Sequence, residues 1–494
     1  MTVTAAQPPN AITGEIARFA MKCGPRDISE QVLQRAKLSF LDTLGLAIAG
    51  MSQSAPQILA TVIRDARTKG GASVLCHEFQ CDPASAALVN GAAADILGWS
   101  DISVIQMTHP SVSICPVVWA VGESLHADGS EILAAHVVGT EVANKIGAGV
   151  RPGLQQRGWH PLAVLNTFGA AAAAGKLLGL GAVQMQNALG IAAGEASGMR
   201  VAMGTMSKAF GAGRSARDGI RAAYLAQRGF TGPVDVLEAR DGFLQTFGDG
   251  ASGAGILEHL GAPFEFVSPG IALKKFPACT RSHNAIQALL DLRAVDAFAA
   301  CDVDRIECLV TPAVMDYLKY HSPKSGLEAK YSMEYCLAVV LLDGRLGVDS
   351  FADERTQEAG MRALMSRIEM RVWDEYARHG YNPAHAPYGC KLEVHLRDGR
   401  VLSKQADHGP WEPETPPSWA DVAAKFSSNV EWRLGHQCTE NTIATIANLE
   451  HLQDFATLVA DIQTAAAKSS RRDTDPGKPG FAEFERIDKS MTGH

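Results

Sequence analysis

Apolar and small residues recur with helical spacing through the first half of the chain. Residues 161–180 are almost all apolar or small, a composition typical of a helix that is buried on most sides. Similar segments at 84–98, 111–126 and 129–150 are separated by short breaks of glycine or polar residues. The pattern therefore predicts an all-helical body that extends to about residue 265.

The hydrophobic pattern changes period in the middle of the chain. Residues 303–310 and 368–372 alternate apolar and polar side chains, as half-buried strands do. Residues 392–402 alternate in the same way around an Asp-Gly pair, which is typical of a β-hairpin. Helical segments lie between these strands, so the sequence predicts a small α+β domain over residues 268–408.

Helical spacing returns at 416–467, and this segment is expected to pack on the first helical body. We therefore predict a mainly α protein with an inserted α+β domain. The large helical domain comprises residues 11–267 together with 409–467, and the inserted domain comprises 268–408. Residues 468–494 combine charged residues with glycine and proline, and they are predicted to form a flexible tail.

Composition narrows the class of partner. The 494-residue chain has a net charge of −8, which argues against nucleic acid as its main partner. Its ten cysteines are scattered without a C-x-x-C pair, as is typical of reduced thiols in a cytosol. The first residues lack the basic and apolar regions of a signal peptide, and no apolar run reaches membrane-spanning length. These features predict a cytoplasmic protein that binds neither nucleic acid nor a membrane.

Two predicted helices begin at a His-Pro pair, His109-Pro110 and His160-Pro161. Proline suits the first position of a helix, where its missing N–H is not needed. The preceding histidine then lies at the positive end of the helix dipole, where free N–H groups can receive an anion. The alternative is a histidine that only caps its helix and packs against it.

Sequence motifs of several common enzyme classes are absent. The chain has no G-x-G-x-x-G turn after a strand, no G-x-x-x-x-G-K-[ST], no H-E-x-x-H and no G-x-S-x-G. Cys279 and His283 have the spacing of half a metal site, but a second half at ligand spacing is missing from the sequence. We therefore predict a protein without a metal or another cofactor.

The remaining candidates for acid–base or anion chemistry lie at loops and helix starts. They are Asp101, His109, His160, Lys208, Lys274 and Tyr335. Lys208 belongs to a polar, glycine-rich interruption at 198–213, and Lys274 precedes Lys275 in an apolar segment flanked by proline. The alternative interpretations are an ordinary loop carboxylate for Asp101 and solvated side chains for Lys208 and Lys274.

The order of several short motifs resembles that of the MmgE/PrpD family, which includes 2-methylcitrate dehydratase, cis-aconitate decarboxylase and iminodisuccinate epimerase. The matching pieces are His109-Pro110-Ser111, Gly158-Trp159-His160, Met206-Ser207-Lys208 with residues 215–219, Lys274 with Phe276-Pro277-Ala278-Cys279-x-x-x-His283, residues 328–335, and Leu342-Asp343-Gly344. Each motif is weak alone, whereas the ordered set, over about residues 11 to 465, is specific.

The resemblance implies a large helical domain built from both chain ends, an inserted α+β domain, and an active-site cleft between them. Four residues match positions that line this cleft, namely His109, His160, Lys208 and Lys274. Asp101 matches one carboxylate of an Asp-rich loop. The resemblance also implies a homodimer.

Two sites depart from the usual family pattern. The family usually has Leu-Asp-aromatic-Asp-Asp-Thr before its His-Pro-Ser. With Trp99 in the aromatic place, Gly98 and Ser100 replace two of these carboxylates. A histidine that is common three residues after the family's lysine is Gly211 here. These departures leave the substrate and the type of reaction open.

The reactions of the resembled family share a carbanion that forms next to a carboxylate. Such an anion is stabilised by cations that are already in place when its charge develops. We therefore predict a cofactor-independent lyase, a dehydratase or a decarboxylase, acting on a small di- or tricarboxylate. The six candidates above are its predicted catalytic residues, and its predicted substrate-binding residues are Arg217, Lys275 and Ser103. An epimerase or isomerase of a similar acid and a catalytically inactive carboxylate-binding homologue are the alternatives.

Overall fold

The computed structural model describes residues 12–248, 253–375 and 387–473. The N-terminal part is mainly helical, and its two short strands, β1 (Ala72–Ser73) and β2 (Gln80–Cys81), form an antiparallel hairpin. Its helices are α1 (Ile12–Lys22), α2 (Glu30–Gly50), α3 (Ser54–Ala66), α4 (Pro83–Ile96), α5 (Ser111–Leu125), α6 (Gly129–Ala148), α7 (Gly153–Gln156), α8 (Pro161–Leu177), α9 (Ala182–Glu195), α10 (Met206–Gln227), α11 (Phe243–Phe247) and α12 (Ala254–Glu258).

The central part combines short helices with a mixed sheet. Its helices are α13 (His283–Val295), α14 (Pro312–Tyr317), α15 (Gly326–Ala329), α16 (Met333–Asp343) and α17 (Ala359–Met365), and its strands are β3 (Val303–Val310), β4 (Ile368–Val372), β5 (Cys390–Leu396) and β6 (Val401–Ala406). The strand order is β4-β3-β5-β6, with β3 and β4 parallel and the other pairs antiparallel. The predicted strands at 303–310 and 368–372 and the predicted hairpin are confirmed.

The C-terminal helices, α18 (Trp419–Leu434), α19 (His436–Ala447) and α20 (Phe455–Asp473), return to the N-terminal part. Residues of α18 and α20 share the largest buried apolar cluster with residues of α2, α4, α5, α8 and α10. A second cluster joins α13 and α16 with β3, β4 and β5. Residues 468–473, predicted to begin a tail, continue α20, and 474–494 lie outside the described residues.

Helices α4 and α10 cross at close range because glycines face each other at the crossing. A Cβ on Gly213 would lie 1.9 Å from the carbonyl oxygen of Leu88, and one on Gly91 would lie 2.8 Å from Gly213 Cα. The glycines near 198–213 therefore serve helix packing as well as a loop. This corrects the predicted interruption, because α10 begins at Met206 and Lys208 lies in its first turn.

Within the described part of the chain, no single helix is long and apolar enough to cross a membrane. Helices α2 and α3, joined by an 80° bend, together meet the length and composition of a broken span.

A buried ion pair joins α18 to α2. Lys425 Nζ lies 2.7 Å from Asp42 Oδ1, and the two side chains are 3% and 1% exposed. The same ammonium donates hydrogen bonds to the carbonyl oxygens of Trp99 and Lys274, each at 3.0 Å. Burial raises the pKa of Asp42, and Lys425 opposes that shift. Lys425 thus links the C-terminal helices to the segments that precede α5 and α13.

Lys425→Met is expected to lower the free energy of unfolding by about 3–5 kcal/mol, because it leaves the Asp42 carboxyl buried without its cation. Urea unfolding followed by circular dichroism measures this change. The exposed Lys69 provides a control, and Lys69→Met is expected to stay within about 0.5 kcal/mol of the parent. Asp42→Leu combined with Lys425→Met is expected to recover part of the loss. A parent-like unfolding midpoint for Lys425→Met alone contradicts this account.

Candidate active site

The C-terminal end of α4 gathers lysines from distant parts of the chain. Gly98 ends the helix in the left-handed region, with φ of 66°, as is common one residue beyond a helix. The last carbonyl groups of a helix lack intrahelical donors and form the negative end of its dipole. The ammonium contacts are Lys330 Nζ to Leu97 O at 2.6 Å, Lys274 Nζ to Gly98 O at 2.9 Å, and Lys425 Nζ to Trp99 O at 3.0 Å.

A fourth lysine approaches the same helix through a side chain. Lys208, in the first turn of α10, forms an ion pair with Asp95 Oδ1 in the last turn of α4. The second carboxylate oxygen, Asp95 Oδ2, is buried and accepts no hydrogen bond from the described residues. Asp95 is therefore held by one cation and keeps one oxygen available to a ligand.

Beside the end of α4 lies a cavity that is open to solvent. Residues of the N-terminal helices and residues of the 274–331 region both line it. Its charged or titratable lining residues include Asp95, His109, His160, Lys208, Lys274, Cys279, Arg281, Tyr317, Lys330 and Tyr331. The cavity thus combines an excess of cationic side chains with two histidines.

His109 is held in one tautomer by the backbone. Its Nδ1 lies 2.5 Å from the carbonyl oxygen of Asp101, so Nδ1 carries the hydrogen and Nε2 has a free lone pair. Burial holds the pKa of His109 well below its usual range, and Lys274 and Lys208 act in the same direction. The imidazole is therefore neutral in the empty cavity.

His160 occupies the N-cap position of α8, as its His-Pro pair predicts, without a side-chain capping bond. Its backbone N–H donates to Gly198 O at 2.9 Å, and neither ring nitrogen hydrogen-bonds to a described residue. Burial lowers the pKa of His160 to about 3, with further lowering from Lys208 and Arg200. The ring is neutral and has both nitrogens available to a ligand.

Two long helices begin at the cavity. Thr205, the N-cap residue of α10, also lines it and also lacks a side-chain capping bond. The first N–H groups of α8 and α10 thus form positive helix ends beside the lysines, an arrangement suited to an anionic ligand.

Two of the lysines have strongly altered acidity. Burial lowers the pKa of Lys274 to about 7, with Lys208 as the next cause. Burial likewise lowers the pKa of Lys330 to about 7, followed by Lys208 and Lys274. Near neutral pH each of these amines is therefore divided between its charged and neutral forms, and an anionic ligand would favour the charged forms.

The structure gives Asp101 a role different from the one predicted. Its carboxylate accepts from the backbone N–H and the hydroxyl of Ser111, so it caps the start of α5. Burial raises the pKa of Asp101 to about 7, and the bond from Ser111 opposes the shift. Asp101 does not line the cavity; it orients His109 through its backbone carbonyl, and Asp95 presents the carboxylate instead.

Four other predicted site residues lie outside the cavity lining, each engaged elsewhere. Tyr335 donates to Ser350 O, Ser103 Oγ accepts from the N–H of Gln106, Lys275 donates to Gln287 Oε1, and Arg217 pairs with Asp218. In the half-site considered for a metal, His283 Nε2 lies 3.3 Å from Ala278 O. His109, His160, Lys208 and Lys274 are the predicted residues that the structure brings together.

Comparison with known proteins identifies the family of this chain. The model of the MmgE/PrpD N-terminal domain matches residues 14–253, and that of the MmgE/PrpD C-terminal domain matches residues 276–451. The chain belongs to the MmgE/PrpD family. Cis-aconitate decarboxylase from Homo sapiens is 30% identical over 445 residues, which cover 87% of this chain and 90% of the relative.

More distant relatives carry two different activities in their names. Cis-aconitate decarboxylase from Aspergillus terreus is 26% identical, with 81% of this chain and 85% of the relative covered. 2-Methylcitrate dehydratase from Cupriavidus necator is 24% identical, with 80% and 83% covered. Named relatives of this MmgE/PrpD chain are thus lyases of small carboxylic acids.

Asp95, Lys330 and Arg281 line the cavity of this MmgE/PrpD protein but are not among the residues predicted from sequence. Asp95 had a recognisable feature, since it is the single charged residue in the apolar segment 84–98 and a buried charge requires a partner. Lys330 and Arg281 lie inside motifs that match the family, but their sequence neighbours do not show which way the side chains point.

Binding of propane-1,2,3-tricarboxylate, a saturated tricarboxylate, is expected to weaken as the pH rises through about 7, because Lys274 and Lys330 lose their charge. The bound anion favours the ammonium forms, so binding at neutral pH takes up protons. Isothermal titration calorimetry in buffers of different ionisation enthalpy measures the uptake. Lys274→Met is expected to reduce it. Affinity that is independent of pH, without proton uptake, contradicts these lysine pKa values.

Proposed function

We propose that this chain is a cofactor-independent lyase that removes CO₂ from a small unsaturated tricarboxylate such as cis-aconitate. The observation that supports it most is the charge of the cavity, where Lys208, Lys274, Lys330 and Arg281 face a single carboxylate, Asp95. That carboxylate is already paired with Lys208. A bound polycarboxylate would supply the missing negative charge.

The proposed reaction balances with one proton. In cis-aconitate, the bond between the methylene carbon and its carboxylate breaks and CO₂ leaves. Its electron pair forms a new methylene double bond, and the former double bond shifts its electrons to the carbon beside a retained carboxylate. A proton adds to that carbon and gives itaconate. The transient negative charge spreads onto the retained carboxylate, where lysines held in advance stabilise it.

His160 is the proposed proton-transfer group, with His109 as the next candidate. Both imidazoles are neutral in the empty cavity. A bound trianion favours an imidazolium, because an opposite charge nearby stabilises the charged form. His160 can then deliver the proton that the carbanion needs. Asp101 and Lys208 act on the histidines, the first through the His109 tautomer and the second through charge.

The cavity is proposed to lie between the helical domain of residues 11–267 with 409–467 and the inserted domain of 268–408. The separate buried clusters and the lining residues drawn from both parts support this division. A homodimer and a cytoplasmic location are proposed on the family resemblance and the composition respectively.

Dehydration of a 2-methylcitrate-like acid is the second candidate function. The two neutral histidines favour it, since a neutral imidazole can remove a proton next to a carboxylate. Some relatives are named as 2-methylcitrate dehydratases. The same cations would stabilise the carbanion formed by proton removal.

Proton NMR in D₂O, with cis-aconitate, 2-methylcitrate and C4–C5 dicarboxylic acids as separate substrates, distinguishes the candidates. Two methylene-alkene signals and one deuterium in the product methylene from cis-aconitate support the decarboxylase. Conversion of 2-methylcitrate to a tetrasubstituted alkene, in which the methyl doublet becomes a singlet, supports the dehydratase. Deuterium incorporation without elimination supports an epimerase or isomerase, and unchanged spectra with saturable binding support a binding protein; either result overturns the proposed lyase.

His160→Gln is expected to lower kcat by about 10²–10⁴-fold, because glutamine keeps size and hydrogen bonding but cannot transfer the proton. The variant is expected to fold normally and to bind propane-1,2,3-tricarboxylate. Steady-state kinetics and thermal unfolding measure both properties. If the variant instead keeps its turnover and melts several degrees lower, His160 is a structural cap, and proton transfer passes to His109.

A further inference from the structure

Arg281 is a buried cation whose charge no described carboxylate balances. Its residue is 5% exposed, and its guanidinium lines the cavity. Its Nη2 lies 3.5 Å from Met107 Sδ, the guanidinium contacts the sulfur of Cys279, and its Nε is buried without a partner. Sulfur atoms are weak acceptors, so most of the hydrogen-bonding capacity of this side chain is unused.

Two tyrosines hold the guanidinium in place. Its Cζ lies 3.3 Å from the ring centroid of Tyr317 and 4.8 Å from that of Tyr388. Tyr317 is itself fixed, since Gln155 donates to its hydroxyl and Arg200 stacks on its ring with Cζ 4.5 Å from the centroid. The planar donor group of Arg281 is therefore oriented before any ligand arrives.

Arg281 forms a part of the cavity separate from the lysines around α4. Burial acts to lower its pKa, whereas Tyr388, Tyr317 and Cys279 raise it, with a net rise. The guanidinium packs between two tyrosines, whereas Lys274 and Lys330 donate hydrogen bonds to the carbonyl oxygens of Gly98 and Leu97. The cavity thus holds the lysine ammonium groups at one place and the planar guanidinium of Arg281 at another.

We infer that Arg281, between Tyr317 and Tyr388, is a carboxylate-binding subsite that makes the cavity selective for tricarboxylates over dicarboxylates. This inference rests on the proposed function, because the lysines hold the carboxylates nearest the reacting carbons. A buried, unpaired guanidinium is costly without a ligand and pairs with a carboxylate through two parallel N–H···O bonds. A dicarboxylate that occupies the lysines leaves Arg281 unpaired, whereas a tricarboxylate satisfies both places.

The test compares unreactive ligands by isothermal titration calorimetry of the full chain. Propane-1,2,3-tricarboxylate is compared with glutarate, which lacks its central carboxylate, and with 2-methylsuccinate, which lacks a terminal one. The parent protein is expected to bind the tricarboxylate at least about tenfold more tightly than either dicarboxylate. In Arg281→Gln this advantage is expected to fall to about threefold or less over one dicarboxylate, with dicarboxylate affinity retained. The dicarboxylate concerned shows which carboxylate Arg281 binds.

Arg345→Gln is the control, because it removes an exposed guanidinium that does not line the cavity. Arg345 pairs with Asp349 on the surface. The tricarboxylate advantage in this control is expected to stay within about twofold of the parent. Thermal unfolding reports folding, and if Arg281→Gln does not fold, Arg281→Lys replaces it. Lysine keeps the positive charge but cannot donate two parallel hydrogen bonds to one carboxylate. The preference for the tricarboxylate is therefore expected to fall at least about threefold.

Three results overturn the subsite. They are a parent-like tricarboxylate advantage in the folded Arg281 variant, an equal loss of tricarboxylate and dicarboxylate binding, and the same loss of advantage in Arg345→Gln. The calorimetry does not require turnover. If the parent protein selects tricarboxylates, Arg281→Gln removes that selectivity, and cis-aconitate is left unchanged, the subsite stands and the proposed reaction is wrong. If the parent protein converts cis-aconitate and Arg281→Gln leaves the selectivity unchanged, the proposed reaction stands and the subsite is wrong.

Discussion

The carbonyl groups of Leu97, Gly98 and Trp99, at and just beyond the C-terminal end of α4, determine the chemistry of the cavity. They accept hydrogen bonds from ammonium groups of Lys330, Lys274 and Lys425, which belong to three separate segments of the chain. A helix dipole attracts cations at this end but does not neutralise them as a carboxylate would. The lysines are thus brought together while most of their charge stays available to a ligand, and burial and mutual repulsion lower the pKa of two of them.

Such a cluster is unfavourable in the empty protein, so the surrounding helices must hold it by packing. Lys425 is the exception that has a full counter-charge, Asp42, and it stands behind the cavity rather than in its lining. The glycine contacts between α4 and α10 bring Lys208 beside Asp95, because a side chain at Gly213 would collide with the backbone of α4. Packing in the helical core thus offsets the repulsion among the lysines when no ligand is bound.

The sequence predicted the parts of this arrangement that depend on local pattern. Alternating residues located β3, β4 and the β5–β6 hairpin, and the His-Pro pair located the start of α8 with His160 at its N-cap. Which side chains meet in the folded protein was harder to predict. Asp101 and Asp95 are both carboxylates near one loop, but the first caps α5 whereas the second lines the cavity, and only the direction of each side chain separates them.

The same limit applies to the glycines and to Arg281. A run of glycines with polar residues predicts a loop equally well whether the glycines form turns or permit two helices to cross, so the start of α10 was misplaced. Arg281 lies between Cys279 and His283, whose spacing is typical of half a metal site. Its importance comes from the tyrosines around it and from the missing carboxylate, neither of which is visible in local sequence.

The proposed decarboxylation and the alternative dehydration differ in the number of protons that they consume. Dehydration needs a base for one proton and an acid for the departing hydroxide, so its net proton demand is zero. Decarboxylation consumes one proton, and the cavity contains amines with a pKa of about 7 that would take up protons from solvent when a trianion binds. Substrate binding would thus place protonated lysines next to the carbon where negative charge develops. Asp95, the carboxylate that lines the cavity, already forms an ion pair with Lys208 through one of its oxygens.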